Sequence, residues 1–492
     1  MAAAGRVAGH GGAAPRGQDV EAARDPFKGR FGRMFPGLLA CDVSDGAIDE
    51  LVTWMGHPSR SQAGNPLVPA GFTYLGQFVD HDITYDPTSK RDQDVDPEAV
   101  VNFRTPRLDL DSLYGSGPVV HPFMYDWKDS EPAGARLLVG HNKLDDGGEI
   151  DDLPRNDQGR ALIGDARNDE NTIISQLHLL FIRFHNAVVD RLVGEGKLRK
   201  RDELLERAQQ IVRWHYQWIV VHEFLPLMVG RKLTEDVLPP AAKGAKPKVR
   251  RKFFRWRDEP FIPVEFSGAA YRFGHSMVRA DYGLKRIPAS FAFTKVAEHT
   301  LRLSPDLGGF DRLRESLVID WERFFELPGV QASPQVSQKI DTAIVRALFE
   351  LQDQEPGEQE LPRRNLQRGR ALGLPSGQDV AGVMHETPLT DDELELDNMP
   401  QSRKELKCSA PLWYYILCET ARAADSRDQP RPGRHLGPVG GRIVAEVLAG
   451  LLEGDRSSYL HSDPPWEPEL GTDGKFTMGD LVKTAQVKTA QG

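Results

Sequence analysis

One short run near the N-terminal quarter of the chain constrains the fold more than any other: Gly76-Gln77-Phe78-Val79-Asp80-His81-Asp82. On a helix, neighbouring residues are separated by about 100° of rotation, so Asp80, His81 and Asp82 point in three directions. Gln77 and His81 are four residues apart and share one face. The run therefore predicts a short helix that aims an amide and an imidazole into a cavity. Taken alone, it is also compatible with a solvated face or with a non-haem metal site.

Length and composition indicate a single large, mainly helical domain. The chain has 492 residues, of which 27% are charged, and few runs alternate with the period of a strand. We predict a disordered leader over 1–29, one domain over 30–480 and a flexible tail over 481–492. Helices are expected at about 172–193, 201–229, 308–327, 334–353, 410–424 and 440–453.

Charge and cysteine content restrict the partners and the compartment. The formal net charge of -10 argues against nucleic acid, and no apolar run is long enough to cross a bilayer. Three cysteines indicate reduced thiols rather than a disulfide framework. The Ala/Gly-rich start lacks the apolar centre of a signal peptide, which predicts a cytoplasmic protein or one secreted by a non-standard route.

A polar loop after the first helix has the donor pattern of a calcium site. Thr105, Asp109 and Asp111 offer side-chain oxygens, and the main chain adds carbonyls at Thr105 and Arg107. Ca²⁺ binds six to eight such hard oxygen ligands. The alternative is an ordinary polar turn that ends at Tyr114-Gly115.

Further segments follow in order along the chain. Gly164 to Glu170 carries Arg167 and precedes the long apolar helix, whose His178 and His185 we interpret as packing residues. Later come Arg272-Phe273-Gly274-His275, Asn365 to Pro375, Gly437 to Gly441 and Leu451 to Asp455.

Taken together and in this order, the segments resemble the animal-type haem peroxidases of the peroxidase–cyclooxygenase superfamily, which includes myeloperoxidase and lactoperoxidase. The resemblance covers about residues 70 to 480 and implies a mainly α fold. It implies that His275 ligates the haem iron and that Asn365 accepts the second ring N–H of His275. His81 would be the general base toward hydrogen peroxide, Arg167 would stabilise developing charge, and Gln77 would line the peroxide pocket.

The resemblance also implies how haem b and calcium are held. Asp80 and Glu170 match carboxylates that form ester bonds to haem methyl groups, and Arg272 and Arg368 would face the propionates. The implied Ca²⁺ ligands are Asp82, Thr105, Arg107 through its carbonyl, Asp109 and Asp111.

The chain departs from the family pattern at several places. Asn171 stands where myeloperoxidase has a methionine bonded to haem, so chloride should be a poor substrate. Tyr85 replaces a phenylalanine, and the absence of the mammalian disulfides and signal peptide predicts a bacterial member. The position three residues before His275, where cyclooxygenases carry a radical-bearing tyrosine, is Arg272, with Tyr271 one residue further back.

We therefore expect an enzyme that reduces H₂O₂ and oxidises bromide, iodide, thiocyanate or phenols. The first rival is a fatty-acid dioxygenase on the same scaffold. The others are a non-catalytic haem-binding or adhesion protein and a non-haem Asp/His metal hydrolase. The hydrolase leaves Asn365 and the segment from Arg272 to His275 unexplained, and a binding module has no use for His81, Arg167 and Gln77.

Overall fold

The computed structural model describes residues 31–60, 63–85, 102, 104–128, 132–144, 147–242, 244–285, 300–303, 306–351, 359–422 and 432–486. The predicted leader over 1–29 and residues 487–492 of the predicted tail lie outside this part of the chain. The last described helix ends at Gln486, beyond the domain boundary drawn at residue 480.

The described chain is mainly helical, as predicted. Its α-helices, in chain order, are α1 (Asp45–Met55), α2 (Gly71–Ile83), α3 (Asp111–Tyr114), α4 (Thr172–Glu195), α5 (Arg201–Ile219), α6 (Leu225–Val229), α7 (Arg231–Val237), α8 (Val264–Gly268), α9 (Leu361–Ala371), α10 (Gly377–Val383), α11 (Arg403–Cys408), α12 (Leu412–Glu419), α13 (Pro438–Gly454) and α14 (Met478–Gln486).

The strands of the described residues are short and form four separate pairs. The strands are β1 (Phe31–Gly32), β2 (Gly64–Pro69), β3 (Gly140–Lys143), β4 (Glu149–Asp152), β5 (Ile262–Pro263), β6 (Asp281–Gly283), β7 (Thr300–Arg302) and β8 (Val336–Gln338). β1 pairs with β5 in parallel, whereas β2 with β8, β3 with β4 and β6 with β7 are antiparallel. Each pair is only two strands wide, so the described strands build no layer of their own.

α2 is held in the core by aromatic packing against α4 and α5. The ring of Phe78 stacks on Phe181 of α4 with centroids 4.7 Å apart, and Tyr216 of α5 meets Phe181 edge-on at 5.8 Å. At the start of α2, a Cβ on Gly71 would lie 2.6 Å from the carbonyl oxygen of Phe324. Only glycine allows this close approach, so the helix is fixed at both its start and its middle.

Helix starts follow local chemistry. Asn171 caps α4: its Oδ1 accepts from the backbone N–H groups of Ile173 and Ile174 at 3.1 and 2.9 Å. The predicted helix over 172–193 is confirmed, and that over 201–229 consists of α5 and α6 joined by a π-helical turn at Val220–Phe224.

The start of α13 is capped by a buried acid from α12. Glu419 accepts the backbone N–H groups of Val439 and Gly440 at 3.1 and 2.6 Å. An acidic group at this end of a helix satisfies unpaired N–H groups and complements the helix dipole. The predicted helices near 410–424 and 440–453 correspond to α12 and α13.

The helices predicted near 308–327 and 334–353 are wrong. These regions form 3₁₀ turns at Glu315–Leu317, Trp321–Arg323 and Arg346–Phe349, together with β8. Their backbone groups bond to other segments: Ile319 N donates to Gln176 Oε1 at 2.9 Å, and Gln335 O accepts from Ala70 N at 2.8 Å. Hydrogen bonds to distant segments therefore replace the backbone hydrogen bonds that a helix would need.

Two sequence-based expectations concern the compartment. Among the described helices, none combines the length and apolar character that crossing a membrane requires. The thiols of Cys41, Cys408 and Cys418 are free, and those of Cys41 and Cys418 are buried.

Candidate active site

The accessible residues of α2 lie on one face. Gly76, Gln77 and Asp80 are partly exposed, whereas the rest of the helix is buried. Because Gly76 and Gln77 each lie about one turn from Asp80, the three positions form one accessible face, and we call the space in front of it the candidate cleft. His81 is 5% exposed and Asp82 is 0% exposed, so three consecutive side chains have three different environments.

Gln77, His81 and Glu170 meet at this cleft. His81 Nε2 lies 3.9 Å from Glu170 Oε1, and Gln77 Nε2 donates a hydrogen bond to the same carboxylate oxygen. Asn171 Nδ2 donates to Gln77 Oε1 at 3.5 Å. We call Gln77, His81, Arg167 and Glu170 the His81 cluster.

Burial favours the neutral forms of His81 and Glu170. Burial, together with the positive charge of Arg167, lowers the pKa of His81 to about 4, so its imidazole is neutral at pH 7. Burial raises the pKa of Glu170 to about 7, against the opposing effect of Arg167.

Arg167 is fixed between an aspartate and the end of α2. Its Nε and Nη2 donate to the two oxygens of Asp165 at 3.1 and 2.8 Å. Nη2 also approaches the carbonyl oxygens of Thr84 at 2.6 Å and of His81 at 3.1 Å. The guanidinium carbon lies 4.7 Å from the ring centroid of Tyr85. The arginine therefore binds to the helix that carries His81.

A chain of buried charges connects Arg167 to the polar loop. Arg104 pairs with Asp165 at 2.5 Å and with Asp111 at 3.0 Å. Burial alone would raise the pKa of Asp165, but the contacts with Arg167 and Arg104 hold it well below its usual range. Neither Arg104 nor Asp165 was predicted to have a role, since nothing in the sequence pairs residues 61 positions apart.

The segment that carries Arg167 is packed directly on the polar loop. A Cβ at Gly164 would lie 2.5 Å from the carbonyl oxygen of Ser112 and 2.8 Å from that of Asp111. Gly164 N donates to the Ser112 oxygen at 3.1 Å. A glycine at this position is what allows the two backbones to touch.

Asn168, which the sequence analysis passed over, contacts two histidines. Its Oδ1 lies 2.8 Å from His81 Nδ1, and its Nδ2 lies 3.0 Å from His178 Nδ1. His178 was expected to be a packing residue, and it is indeed fully buried. Burial lowers its pKa to about 3. The only signal in the sequence was the place of Asn168 directly after Arg167.

His275 lies on a 3₁₀ helix, Ala270–Met277. Its Nδ1 is 2.8 Å from the amide nitrogen of Asn365 on α9. The expected pair is in contact, but the amide nitrogen rather than the oxygen faces the ring; a 180° rotation of the amide would present the acceptor. Burial, with the charge of Arg272, lowers the pKa of His275 to about 3.

One ion pair joins this segment to α2. Arg272 Nη1 lies 3.6 Å from Asp80 Oδ2, and Arg272 Nε donates to the carbonyl oxygen of Ser267 at 2.8 Å. Burial alone would raise the pKa of Asp80, but the positive charge of Arg272 lowers it below its ordinary value. Arg368 lies partly buried on α9, about one turn beyond Asn365. We call Arg272, His275, Asn365 and Arg368 the His275 cluster.

Three carboxylates form the acid cluster: Asp82, Asp109 and Asp111. All three are buried, and one oxygen from each lies within 4.8 Å of the others. Neither oxygen of Asp82 makes a hydrogen bond of regular geometry with the described residues, although the backbone N–H of Leu110 and the hydroxyl of Tyr216 lie near it. Burial and the charges of Asp109 and Asp111 raise the pKa of Asp82 well above its ordinary value. Leu110 between the two loop aspartates has a φ of 57°, a strained backbone that brings both side chains together.

Of the other expected ligands, Thr105 borders this cluster. Thr105 Oγ1 donates to Asp109 Oδ2 at 3.0 Å, so its hydroxyl is beside the carboxylates. The carbonyl oxygen of Thr105 accepts from the backbone N–H of Arg107 at 2.8 Å. The Arg107 side chain points elsewhere and lies 4.0 Å from Glu259.

Comparison with family models identifies one match. The model described as animal haem peroxidase matches residues 88–407. The matched range begins after α2 and ends before α12, so it includes the segments of Arg167, His275 and Asn365.

Several curated proteins are similar in sequence. Heme peroxidase 2 of Caenorhabditis elegans is 24% identical over 308 residues, which are 60% of this chain and 40% of that protein. Thyroid peroxidase of Mus musculus is 26% identical over 386 residues, which are 73% of this chain and 39% of that protein. The chain thus spans two-fifths or less of the length of these relatives.

Solved structures share the fold. Peroxidase A from Dictyostelium discoideum superposes with a TM-score of 0.62 at 16% identity and covers 93% of both chains. The fatty acid alpha-dioxygenase of Oryza sativa gives a TM-score of 0.59 at 16% identity, over 91% of this chain and 78% of that one. At such identities the likeness concerns the fold alone.

Proposed function

Because the chain belongs to the animal haem peroxidase family, we propose that it is a haem peroxidase that reduces hydrogen peroxide and oxidises small anions or phenols. The observation that carries the proposal is the approach of two histidine-bearing segments, α2 and residues 270–277, joined by the Asp80–Arg272 contact at 3.6 Å. One segment provides a neutral imidazole with an amide and a guanidinium nearby, and the other provides an imidazole braced by an asparagine.

The residues present fit a haem group. His275 is partly exposed and has Nδ1 engaged by Asn365, which leaves Nε2 as a metal ligand. No described heavy atom outside its chain neighbours lies within 4 Å of a Cβ built on Gly274, so there is open space beside His275. The accessible face of α2 would border the opposite side. When bound, haem supplies the redox chemistry that cleaving the peroxide O–O bond requires.

His81 is the proposed proton carrier. Its Nε2 would take the proton from one oxygen of hydrogen peroxide and return it to the other oxygen, which leaves as water. Its lowered pKa of about 4 keeps it unprotonated and able to act as a base at neutral pH. A positioned base of this kind contributes roughly 10²- to 10⁴-fold.

Arg167 and Gln77 are proposed to stabilise and orient the peroxide. Arg167 holds its charge near α2 through Asp165, where a fixed cation favours the negative charge that develops on the leaving oxygen. Gln77 shares the accessible face of α2 and is oriented by Glu170 and Asn171. Its amide can bind peroxide or a small anion.

Asp80 and Glu170 are proposed to form ester bonds to haem methyl groups. Both carboxyl groups are partly accessible. Each ester is a two-electron oxidation: one C–H and one O–H are lost, one C–O bond forms, and one H₂O₂ is reduced to two H₂O. Arg272 and Arg368 would bind the propionates, for which the planar guanidinium is suited.

The acid cluster is proposed to bind Ca²⁺. Three carboxylates and the adjacent Arg104 guanidinium, 3.0 Å from Asp111, leave a net charge of about -2 that a divalent cation would neutralise. Asp82 offers two oxygens that make no regular hydrogen bond with the described residues, and the hydroxyl of Thr105 and the carbonyl of Arg107 would complete the oxygen shell. The ion would brace α2 from the side opposite to its accessible face.

We propose bromide, iodide, thiocyanate and phenols as donors and chloride as a poor one. Asn171 supports the last point because it has no sulfur to bond to haem. Its Oδ1 is committed to the N-terminal cap of α4 and its Nδ2 to Gln77. The reactivity that a sulfur-linked haem would bring is therefore not expected.

The dioxygenase alternative is disfavoured by the surroundings of Tyr271. Its ring stacks on Phe266 with centroids 4.6 Å apart and meets Phe273 edge-on at 5.8 Å. Arg272 occupies the position of the radical tyrosine of the oxygenases and is bonded to Ser267 and paired with Asp80. A guanidinium cannot serve as a radical relay.

The test combines a spectrum with two assays on the haem-loaded protein. A Soret band of high-spin ferric haem and H₂O₂-dependent oxidation of iodide, bromide or a phenol are expected. Oxygen uptake with linoleate or arachidonate should be absent. Rapid uptake that survives Arg272→Ala and disappears in Tyr271→Phe would establish the oxygenase instead. Haem binding without either activity would establish the non-catalytic alternative.

A further inference from the structure

The amide of Asn168 lies between two histidines from different helices. Its Oδ1 is 2.8 Å from His81 Nδ1 on α2, and its Nδ2 is 3.0 Å from His178 Nδ1 on α4. Asn168 and His178 are 0% exposed and His81 is 5% exposed. With so little access for bulk water, the amide satisfies the Nδ1 atoms of both rings, whereas His178 Nε2 has no hydrogen-bond partner among the described residues.

The amide is held rigidly between the rings. Asn168 belongs to the 3₁₀ turn Ala166–Asp169, and its backbone N donates to the carbonyl oxygen of Asp165 at 3.0 Å. His178 packs against Phe78 of α2 with ring centroids 6.0 Å apart. Neither Asn168 nor His178 can move without disturbing the packing of α2 on α4.

An amide placed in this way selects one tautomer of each ring. Its oxygen can only accept, so the facing Nδ1 of His81 must carry a hydrogen. Its nitrogen can only donate, so Nδ1 of His178 must present a lone pair. With the hydrogen on Nδ1, the lone pair of His81 is on Nε2, the nitrogen nearest to the Glu170 carboxylate at 3.9 Å and to the accessible face of α2.

We infer that Asn168, held by His178, is a positioning residue that fixes His81 in the tautomer with a free lone pair at Nε2. The inference rests on the proposed function, because it is in that reaction that Nε2 has to accept a proton. The opposite tautomer would place an N–H in the cleft and leave no base there. His178 thus acts through Asn168, without reaching the cleft itself.

Three variants separate positioning from packing. Asn168→Leu keeps the approximate volume of the side chain and removes both hydrogen bonds. Asn168→Asp keeps an acceptor for the Nδ1–H of His81, and its second oxygen can still bind His178 once that ring carries its hydrogen on Nδ1. Asn65→Leu is the matched control, since Asn65 is also 0% exposed and donates to the carbonyl oxygen of Arg434 at 3.0 Å, away from both histidines.

The first measurement is the association rate of cyanide with the ferric haem-loaded protein. Hydrogen cyanide must lose its proton to bind as the anion, so the rate reports a base at His81 Nε2 without turnover. We expect Asn168→Leu to lower the rate roughly 10- to 100-fold, the usual effect of removing a hydrogen bond that orients a functional histidine. Asn168→Asp and Asn65→Leu should stay close to wild type. An equal loss in Asn168→Asp, or none in Asn168→Leu, would overturn the inference.

The second measurement reads the tautomer directly. In protein labelled with ¹⁵N-histidine, the shifts of His81 should show hydrogen on Nδ1 and a lone pair on Nε2, with the pattern mixed or reversed in Asn168→Leu. The diamagnetic ferrous carbon monoxide form gives this spectrum, and so does the haem-free protein. Hydrogen on Nε2 in wild type would overturn the inference. A protein that neither binds haem nor reacts with peroxide would instead refute the proposed function, and the ¹⁵N spectrum would still decide the role of Asn168.

Discussion

Removing the charge of Asp82 should have opposite effects on stability with and without calcium. Asp82, Asp109 and Asp111 are buried with ligand oxygens within 4.8 Å of one another. With calcium bound, Asp82→Asn loses a charged ligand, so the variant should melt below wild type. In a chelator the same change removes two of the three repulsions in the cluster, so the variant should melt at or above wild type.

The magnitude follows from the geometry. At an effective dielectric constant of about 20 and a separation of at most 4.8 Å, each pair of ionised carboxylates repels by about 3.5 kcal/mol or more. Because burial and the neighbouring charges raise the pKa of Asp82, protonation relieves part of this repulsion in calcium-free wild type. Asp82→Asn relieves only the remainder, so its gain in the chelator is below twice the pairwise value. In wild type, calcium present at 1,000 times its Kd stabilises the folded state by about 4 kcal/mol. For a domain of this size, chelation should lower the wild-type Tm by roughly 5 °C.

The assay is differential scanning calorimetry in calcium and in EDTA, with elemental analysis of the purified protein. Asp152→Asn is a suitable control, since Asp152 is 2% exposed and pairs with Arg155 at 2.9 Å in a cluster that needs no cation. It should lower the Tm equally in both buffers. If EDTA lowers the Tm of Asp82→Asn as much as that of wild type, or if active protein contains no calcium, the reasoning is refuted.

Three further outcomes are expected. His81→Ala or Arg167→Ala should slow the reaction with hydrogen peroxide, followed by stopped-flow absorbance, by about 10²-fold or more, while donor oxidation after that step changes little. After peroxide treatment, extraction with acid-acetone should leave haem on the wild-type protein. Glu170→Gln should retain only the bond to Asp80, as mass spectrometry of haem peptides would show. Complete extraction of haem from wild type would contradict the ester bonds. Burial raises the pKa of Glu419 to about 8. Since this folded-state pKa exceeds the unfolded value, the folded protein binds one more proton than the unfolded chain between these two pKa values. The free energy of unfolding therefore falls as pH rises from about 4.5 to 8. Glu419→Gln should reduce the difference between Tm values at pH 5 and pH 8, and an unchanged difference would exclude Glu419 as its source.

The helix that carries His81 was predictable because its constraints are local. Apolar residues surround Gln77, Asp80, His81 and Asp82, so the 100° step of a helix alone separates their environments. The meeting of Asp109 and Asp111 in one loop was predictable for the same reason, since the two residues are close in sequence; that the loop binds calcium stays a prediction. In both cases the relevant side chains are fixed by their own segment.

The remaining site features depend on contacts between distant segments. Asn168 meets His81 across 87 positions, and Arg104 meets Asp165 across 61. No local pattern distinguishes these residues from an ordinary polar turn. The helices wrongly expected near 308–327 and 334–353 fail for a related reason, because bonds such as that of Ile319 N to Gln176 outweigh local helical propensity.

The placement of Asp80, His81 and Asp82 at consecutive positions of one helix limits how this protein can be altered. A single inserted or deleted residue upstream of Asp80 within α2 would rotate all three side chains by about 100° at once. The carboxylate paired with Arg272, the imidazole facing Asn168 and the carboxylate of the acid cluster would each arrive at a neighbour's position. Sequence change at this helix can therefore proceed by substitution but not by change of length, and the spacing from Gly71 to Asp82 should be the most strictly kept distance in the chain.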